Sequence, residues 1–501
     1  MNAARSPSDD ESPSLKGTIA AGDPSTAGAG ASLLRSGGNA VDAAVAAAFA
    51  SFVSEPLLAS AGGSGVAICG DAGSGYELHD FFTVVPGRGL QRRPELDFHE
   101  ITIDFGPTTQ NFHVGRGASS VPTALFGLLE LHTSRGRADL RDVLAPAIEL
   151  ARNGCWLSPS IRWLIDMLAP IVSVSDAVRA ICSAGEVIGP IDQPVCNPDL
   201  AAFLEQLGVK GAALLRGAFT DAVVRDFGPQ SGGLLTRADL DGYTPALRTP
   251  LRASFGDYRL LTNSPPSTGG ALVAIGLRAA ALKGIGAAPF LSPAHVLAVA
   301  DALATVSVAR RTAIDERIHA ATEGGAVFTD DDIALWRGTA LGVGEERNLG
   351  GTTHISVLDK DGLAAAMTLT NGEGCGHALS GMGIHLNNFL GEEDINPGGF
   401  HRLPAGTRMT TMMAPSIVLH RDLPALVVGS GGSNRIRSAI VQAVLHATIH
   451  DQPLDTAANA PRMHIEGNKL WFERAGLPQA SAAALLQRFP DAAVFEDKNM
   501  F

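Results

Sequence analysis

Aromatic residues, cysteines and long apolar runs are all scarce in this chain. Only 5% of its 501 residues are aromatic, so small aliphatic side chains must fill most of the core. The five cysteines include no Cys-x-x-Cys pair, which argues against a zinc site and a disulfide framework. The most alanine-rich stretch, 40–53, contains Asp42 and is shorter than the ~20 apolar residues of a membrane-spanning helix. We therefore expect no membrane segment.

Positive charge is also in short supply. Lysine and arginine number 38 against 51 acidic residues, and the formal net charge of −13 opposes binding to nucleic acid or to an anionic membrane surface. The polar N-terminal stretch, 1–16, has an acidic cluster where a secretion signal would be apolar. We expect it to be a disordered tail, and we expect the protein to be cytoplasmic.

The usual signatures of nucleotide and metal sites are missing. The glycine turns at 63–65 and 429–432 do not complete a dinucleotide fingerprint, and the fourteen histidines show no ligand spacing. Asp330 to Asp332 lack the alternating spacing of a calcium loop and are interpreted as a solvated charge run. Cys375 and His377 are interpreted as structural residues. The sequence thus predicts neither a metal nor an organic cofactor.

Glycine is abundant, with 57 residues, and short apolar runs alternate with helical patterns as in a mixed α/β protein. Apolar residues recur at helical spacing at Val41, Val45, Phe49 and Phe52. This pattern predicts a helix near 39–54 that is buried along the face formed by these side chains. A buried strand is predicted at 66–69. Further helices are predicted at 124–134, 140–153, 198–207, 271–281 and 294–309. The glycine-rich and acidic segment 321–351 has no sustained periodicity and predicts a long exposed loop.

Two apolar runs, 352–358 and 363–370, flank a short polar turn and predict a β-hairpin. If 360–362 is a three-residue loop with Gly362 in the left-handed conformation, paired positions sum to 722 and Thr352 lies opposite Thr370. Opposed residues share a face of the hairpin, so the two hydroxyls would sit together. A two-residue loop would instead place them on opposite faces.

Thr352 is a candidate nucleophile because it follows Gly350 and Gly351, whose backbone can adopt strained conformations. A threonine hydroxyl needs a base, and its own α-amine can serve once the chain is cut before it. The alternative is an ordinary strand start after a glycine loop. His354 would share the face of Thr352, and a packing role is favoured for it over that of a general base.

A second candidate feature is the segment 427–434, a strand followed by a tight glycine turn that opens a helix at 436–449. Adjacent backbone N–H groups at such a helix N-terminus can form an oxyanion hole. Taken alone, the turn could equally bind phosphate or be a plain turn.

These segments together resemble the γ-glutamyltranspeptidase family of N-terminal nucleophile hydrolases. Six matches occur in order and span most of the chain: 36–48, 120–154, 232–240, 264–270, 352–362 and 383–388. The resemblance implies a four-layer αββα sandwich with two stacked antiparallel sheets flanked by helices. It also implies one precursor domain that cuts itself between Gly351 and Thr352. The cut would produce a large chain, 17–351 after the tail, and a small chain, 352–501. The two chains would then associate as a heterodimer.

The same resemblance implies a role for each matched residue. Thr352 would be the nucleophile and Thr370 its supporting threonine. The oxyanion would be held by backbone N–H groups of Gly432 and Ser433, or of Gly431 and Gly432 if the turn is shifted by one. The residues that would contact substrate are Asn371, Glu392, Thr410 and Thr411.

One departure concerns specificity. Family members that bind γ-glutamyl groups carry an arginine that pairs with the substrate α-carboxylate, whereas this chain has Phe82 at that position. Arg88 and Arg116 are candidates to replace it. The expected activity is transfer or hydrolysis of a γ-glutamyl-type acyl group from a glutathione-like amide to an amine or water. The alternatives are a hydrolase of another amide or of a carbon–carbon bond, and a silent protein that binds small molecules and never matures.

Overall fold

The computed structural model describes residues 16–104, 109–183, 193–318, 327–341, 351–396 and 398–496. The predicted tail, 1–16, lies outside these residues except for Lys16. The strands of the described chain are β1 (Gly17–Ala21), β2 (Ser64–Asp71), β3 (Gly75–Phe81), β4 (His99–Asp104), β5 (Thr109–Val114), β6 (Ala246–Arg248), β7 (Leu251–Phe255), β8 (Tyr258–Thr262), β9 (Thr353–Asp359), β10 (Ala364–Thr370), β11 (Ala378–Leu379), β12 (Ile384–His385), β13 (Ser416–His420), β14 (Leu423–Val428), β15 (Met463–Glu466), β16 (Lys469–Glu473) and β17 (Ala493–Phe495).

Every helix predicted from periodicity is present within two or three residues of its expected bounds. The α-helices of the described chain are α1 (Pro24–Ser36), α2 (Ala40–Ser54), α3 (Ala124–Arg135), α4 (Leu140–Asn153), α5 (Pro159–Met167), α6 (Ala169–Val172), α7 (Asp176–Cys182), α8 (Pro198–Lys210), α9 (Ala212–Leu214), α10 (Thr220–Phe227), α11 (Arg237–Asp241), α12 (Thr268–Leu282), α13 (Pro293–Ala309), α14 (Asp315–Arg317), α15 (Asp330–Gly338), α16 (Ile436–Thr448), α17 (Leu454–Asn459) and α18 (Gln479–Arg488).

The predicted hairpin forms the centre of the first sheet, whose strand order is β1-β9-β10-β2-β3-β6. Its pairs run from Leu369 opposite Thr353 to Ala364 opposite Leu358, so paired positions sum to 722 as predicted. Gly362 has φ +87° and closes the three-residue loop, a conformation that favours glycine. The register therefore brings the start of β9 beside the end of β10.

A second antiparallel sheet, in the order β14-β13-β8-β7, stacks on the first. Val66 and Ala366 of the first sheet and Ile417 of the second belong to one buried apolar cluster between the two sheets. A second cluster joins the first sheet to α2, α3 and α4, and a third joins the other sheet to α12, α13 and α16. These three interfaces make the four-layer αββα sandwich that the resemblance implies.

Helix α2 is more deeply buried than its apolar stripe predicts, because every one of its residues is buried. Its alanines present so little bulk that α1 and α4 pack closely on the faces away from the sheet. Asp42, fully buried, is satisfied at the N-terminus, where its carboxylate accepts from the backbone N–H groups of Asn39 and Arg137. No helix in the described ranges combines the length and apolarity needed to cross a membrane.

The prediction of a continuous exposed loop over 321–351 is wrong for its middle part. Residues 330–338 form α15, and Thr329 and Asp332 close a capping box at its N-terminus. The three aspartates interpreted as a solvated charge run occupy the first turn, where carboxylates favour the helix dipole. Residues 319–326 and 342–350 lie outside the described ranges, and Gly351 is buried.

Buried neutral histidines predict that the fold loses stability in mild acid. Burial lowers the pKa of His295, His354 and His385 to about 3, and that of His446 and His464 to about 4. Their stabilising contribution is complete above the unfolded value of 6.5 and falls with pH by about 1.4 kcal/mol per pH unit per histidine. Part of this loss is offset by three glutamates with raised pKa values, Glu55, Glu373 and Glu392, because their protonation at lower pH favours the folded state. We expect the urea midpoint to fall by several tenths molar or more between pH 7 and pH 5.

A pair of substitutions isolates the histidine effect. His446→Gln should flatten the pH dependence, because it removes one buried group that must bind a proton on unfolding. His99→Gln is the matched surface substitution, because the His99 side chain is half exposed. Equal urea midpoints at pH 7 and pH 5 in the wild type would contradict the explanation.

Candidate active site

The peptide bond between Gly351 and Thr352 lies at the start of β9 and is held on both sides. The Gly351 carbonyl oxygen accepts a hydrogen bond of 2.5 Å from the Thr370 hydroxyl, across the hairpin. The Gly372 N–H donates to the same hydroxyl oxygen at 3.0 Å, which leaves the Thr370 proton directed at the carbonyl. The two threonines that the register pairs are thus joined through the candidate scissile bond.

On the other side of Gly351 lies a cluster of buried carboxyl groups. The Gly351 N–H donates to Glu373 Oε1 at 3.3 Å, and the Asn388 side-chain amide donates to Glu373 Oε2 at 3.3 Å. Burial raises the pKa of Glu373 and of Glu392, and the charges of Glu373 and Asp394 raise that of Glu392 further. The acids around Gly351 therefore favour their protonated forms more than ordinary glutamates do.

Two predicted substrate contacts lie in this cluster with polar atoms unused. Among the described residues, the buried Asn371 side chain has no hydrogen-bond partner at either amide atom, and Glu392 Oε1 is also buried without one. Gly372 lies between them, and a Cβ at this position would come within 2.1 Å of Glu392 Oε1. Buried polar groups normally have partners, so these unused atoms make the cluster a candidate ligand site.

The predicted glycine turn closes over Thr352. A Cβ at residue 431 would lie 2.3 Å from the Thr352 carbonyl oxygen, so only glycine permits this approach. Gly432 and Ser433 both have positive φ, at +106° and +50°, before the helix α16 begins. The Ser433 hydroxyl donates to Asp394 Oδ2 at 2.6 Å, and the Asn434 amide donates to Asp394 Oδ1 at 3.2 Å. Asp394 thereby ties the turn to the carboxyl cluster.

The face of β9 opposite Thr352 is anchored by Glu55, which the sequence argument did not single out. The Thr353 hydroxyl donates to Glu55 Oε2 at 2.6 Å, and the Thr26 hydroxyl donates to Oε1 at 2.6 Å. Burial raises the pKa of Glu55. The contact fixes the residue after the candidate nucleophile against the end of α2.

His354 has the packing role expected for it. Its ring nitrogens lie 2.8 Å from the Thr368 hydroxyl and 3.0 Å from that of Ser356, and burial lowers its pKa to about 3. A Cβ at residue 429 would come within 2.2 Å of the ring, so the neutral imidazole supports the start of the glycine turn.

Thr410 and Thr411 lie on a separate segment held by the loop before α12. The Thr411 carbonyl accepts from the Ser267 hydroxyl at 2.8 Å, and the Thr410 hydroxyl lies 3.5 Å from that of Thr268. The same segment also contacts the backbone next to Phe82, the residue at the position of the family's arginine. The Met409 N–H donates to the Thr83 carbonyl at 3.1 Å. The structure thus places both threonines beside the Phe82 segment, with no direct contact to Thr352 among the hydrogen bonds of the described residues.

Phe82 occupies the family arginine's position as part of an apolar contact. Its side chain is buried, and its ring packs on that of Phe389 with centroids 5.2 Å apart. The nearby guanidinium of Arg408 is committed to the protein, since it donates to the Phe82 carbonyl at 2.6 Å and to Asp80 Oδ1 at 3.3 Å. A carboxylate at this point would meet a phenyl ring instead of a free cation.

Neither proposed substitute arginine is free to replace it. Arg88 donates to the Gly242 carbonyl at 3.2 Å, and Arg116 pairs with Asp97 at 3.1 Å. His377 lies 3.4 Å from the same Asp97 carboxylate, and burial raises the pKa of Cys375 to about 11. Cys375 and His377 are therefore structural, as predicted, and do not form a thiolate–imidazole pair.

A cavity of about 1590 Å³ opens on the other side of Thr352 from the carboxyl cluster. Its lining includes Thr352, His354 and the turn 429–431. It also includes the exposed side chains of Trp163 and Leu454. The Trp163 residue is 58% exposed. Thr352 thus stands between a buried polar cluster and an open, largely apolar space.

Two stacked antiparallel sheets between helical layers, with a candidate threonine nucleophile at the start of a central strand, define the class of N-terminal nucleophile hydrolases. The fold matches the crystal structure of cephalosporin acylase from Bacillus halodurans with a TM-score of 0.75 at 22% identity, covering 99% of this chain and 93% of that one. The family model of γ-glutamyltranspeptidase matches residues 26–500, so the chain belongs to this family.

Curated relatives of this chain include acylases and glutathione hydrolases. An acylase ACY 1 proenzyme of Pseudomonas sp. (strain V22) is 30% identical over 488 residues, covering 94% of this chain and 86% of the relative. A glutathione hydrolase proenzyme of Pseudomonas aeruginosa is 30% identical over 478 residues, covering 89% and 82%. The family is one of enzymes, and its members near this chain include both acylases and glutathione hydrolases.

Sequence reasoning missed Glu373, Glu55, Asp394 and Phe389. Glu55 is the one acid in an otherwise apolar run before Pro56, a pattern that signals a buried and paired carboxylate. Glu373 lies three residues after Thr370, where the hairpin was expected to end. For neither Glu55 nor Glu373 does the spacing in the sequence indicate which residue is its partner.

Proposed function

We propose that this chain is a self-cleaving amide acylase whose nucleophile is Thr352. Cleavage between Gly351 and Thr352 yields the large chain 1–351 and the small chain 352–501, which stay associated as a heterodimer. The free α-amine of Thr352 then acts as the base for its own hydroxyl. The names of the two Pseudomonas relatives, both proenzymes, support a maturation step.

The observation that carries this proposal is the hydrogen bond from Thr370 to the Gly351 carbonyl. Attack of the Thr352 hydroxyl oxygen on this carbonyl carbon places negative charge on the oxygen that Thr370 already contacts. The C–N bond then breaks, the Thr352 nitrogen takes up the proton, and an ester joins Gly351 to the Thr352 side chain. Water hydrolyses the ester, releasing the Gly351 carboxylate and regenerating the hydroxyl.

Turnover repeats this chemistry on a substrate amide. Thr352 attacks the acyl carbonyl while the backbone N–H groups of Gly432 and Ser433 stabilise the oxyanion. The amine leaves with a proton, and water or a second amine resolves the acyl-enzyme. Asn371 and Glu392, with their unused polar atoms, contact the acyl group.

The acyl group is best explained as one other than γ-glutamyl. Phe82, packed on Phe389, offers no cation to an α-carboxylate, and the neighbouring Arg408 is already paired. A γ-glutamyl group is the second candidate, favoured by Glu392, whose unpartnered oxygen could accept from the glutamyl α-amine.

The test is intact-mass analysis of the purified wild type, combined with an amide panel. We expect two chains, the smaller beginning at Thr352, and turnover of non-glutamyl p-nitroanilides at least tenfold faster than of γ-glutamyl-p-nitroanilide. A single uncut chain after long incubation would overturn the proposal in favour of a silent binding protein. Faster turnover of the γ-glutamyl substrate would support the second candidate.

A further inference from the structure

The open cavity beside Thr352 is distinct from the buried cluster that contains Asn371 and Glu392. Those two residues, together with Glu373 and Phe82, are absent from its described lining. Among the described residues, Thr352 and the glycine turn line the cavity and also adjoin Gly351 and Asp394 of the cluster. An amide bound across the nucleophile would therefore place its two halves in different surroundings.

Among the described residues that line the cavity, charge is of one sign. Its carboxylates are those of Glu55, Asp455 and Glu496, and no lysine or arginine is present in the lining. Glu496 has a partner outside it, Arg474 at 3.5 Å. His354 is the lining histidine, and it is neutral because burial lowers its pKa to about 3. A negatively charged group would find no counter-ion among the described residues of the lining.

The remaining walls are predominantly apolar. They include Leu58, Ile161, Trp163, Leu164, Leu426, Val428, Leu454 and Phe495. Trp163 and Leu454 are 58% and 63% exposed, an unusual exposure for large apolar side chains that share one concave surface. The volume of about 1590 Å³ exceeds that of a typical small-molecule cleft, so a bicyclic or longer group fits.

We infer that this cavity receives the amine half of the substrate amide, and that this half is a bulky apolar group without a negative charge. This rests on the proposed function, because it assigns the acyl half to the buried cluster. The open side suits a leaving amine, which must depart so that water or an acceptor amine can enter. A carboxylate-bearing leaving group such as a dipeptide is disfavoured by the acidic, cation-free lining.

A matched pair of fluorescent probes tests the cavity without catalysis. N-phenyl-1-naphthylamine is neutral, whereas 8-anilino-1-naphthalenesulfonate is the same framework with a sulfonate. On Thr352→Ala protein, which needs no turnover, we expect the neutral probe to bind with at least tenfold lower Kd. Equal or tighter binding of the sulfonate, or no binding of the neutral probe, would overturn the inference.

The chain offers a matched control for the position of binding. Trp163→Ala should weaken the neutral probe at least fivefold, whereas Trp156→Ala should change its Kd less than twofold, because Trp156 is 60% exposed and lies outside the lining. Ala443→Phe, which adds a ring to the cavity wall from α16, should weaken it similarly to Trp163→Ala. Unchanged binding in both cavity variants would place the probe elsewhere and overturn the assignment.

A kinetic comparison links the cavity to the amine half. With one acyl group that the mature enzyme hydrolyses, we expect the 2-naphthylamide to exceed its 6-sulfonate derivative, whose amine leaves at least as readily, in kcat/KM by at least tenfold. Trp163→Ala should raise the KM of the naphthylamide with kcat within twofold, and equal kcat/KM for the two amides would overturn the inference. An uncut, inactive wild type would overturn the proposed function instead. The probe comparison would still test whether the cavity prefers a neutral apolar group to an anion.

Discussion

Thr352→Ala is expected to arrest the chain as a single uncut species and to abolish amide hydrolysis. The substitution removes the hydroxyl proposed to attack the Gly351 carbonyl, and the adjacent Thr353 hydroxyl is bound to Glu55 at 2.6 Å. Loss of a nucleophile in a hydrolase costs about 10⁶-fold in kcat. Intact-mass analysis over several days and a progress curve on the best amide substrate measure the two effects.

Thr352→Ser is the matched control, because serine keeps the oxygen and removes only the methyl group. It should still cut before residue 352, more slowly than the wild type, and the cut protein should retain some hydrolysis. Both variants should unfold at the wild-type temperature within a few degrees, since Thr352 is only half-buried. Cleavage of Thr352→Ala at the same bond would contradict the role of Thr352.

The hairpin could be predicted to the residue because its determinants are local. A three-residue loop with glycine at the last position fixes the register, and the register fixes which threonines face each other. The helices were also predictable, since their apolar periodicity and terminal glycines or prolines lie within each segment. The family resemblance then supplied the sandwich, which no local pattern specifies.

Apart from Glu392, the carboxyl groups around the site could not be predicted in the same way. Glu55 contacts Thr353 across 298 positions of the chain, and nothing in either segment names the other. The prediction of a continuous loop over 321–351 failed for a different reason, because a solvated run of acids such as Asp330 to Asp332 looks the same in a loop and in the first turn of a capped helix. The departure at Phe82 was visible in the sequence, but its packing on Phe389 was not.

The arrangement around Thr352 explains how one residue can serve both maturation and turnover. In the uncut chain the Gly351 carbonyl is held by Thr370 on the side of the carboxyl cluster. The glycine turn and the open cavity lie on the other side of Thr352. Under the proposed function, self-cleavage would use the Thr370 hydroxyl as its oxyanion donor, whereas turnover would use the turn.

This separation predicts that Thr370→Val slows self-cleavage by about 100- to 1,000-fold, the cost of losing one oxyanion donor. Valine matches threonine in shape but cannot donate to the Gly351 carbonyl or accept from the Gly372 N–H. The rate is measured from the appearance of the 352–501 chain by intact mass after synthesis in a cell-free system. Because Thr370 is buried, a thermal unfolding curve must accompany the measurement.

Thr370→Ser separates the effect of the hydroxyl on cleavage from the effect of the methyl group on packing and stability. Serine retains the oxygen that bridges Gly372 N–H and the Gly351 carbonyl, so cleavage should recover to within about tenfold of the wild type. If valine and serine variants were equally slow while both unfolded at the wild-type temperature, the methyl group and its packing would be responsible. If the valine variant cut at the wild-type rate, the carbonyl of Gly351 would have another donor in the transition state, and Thr370 would serve only to support Thr352 after cleavage.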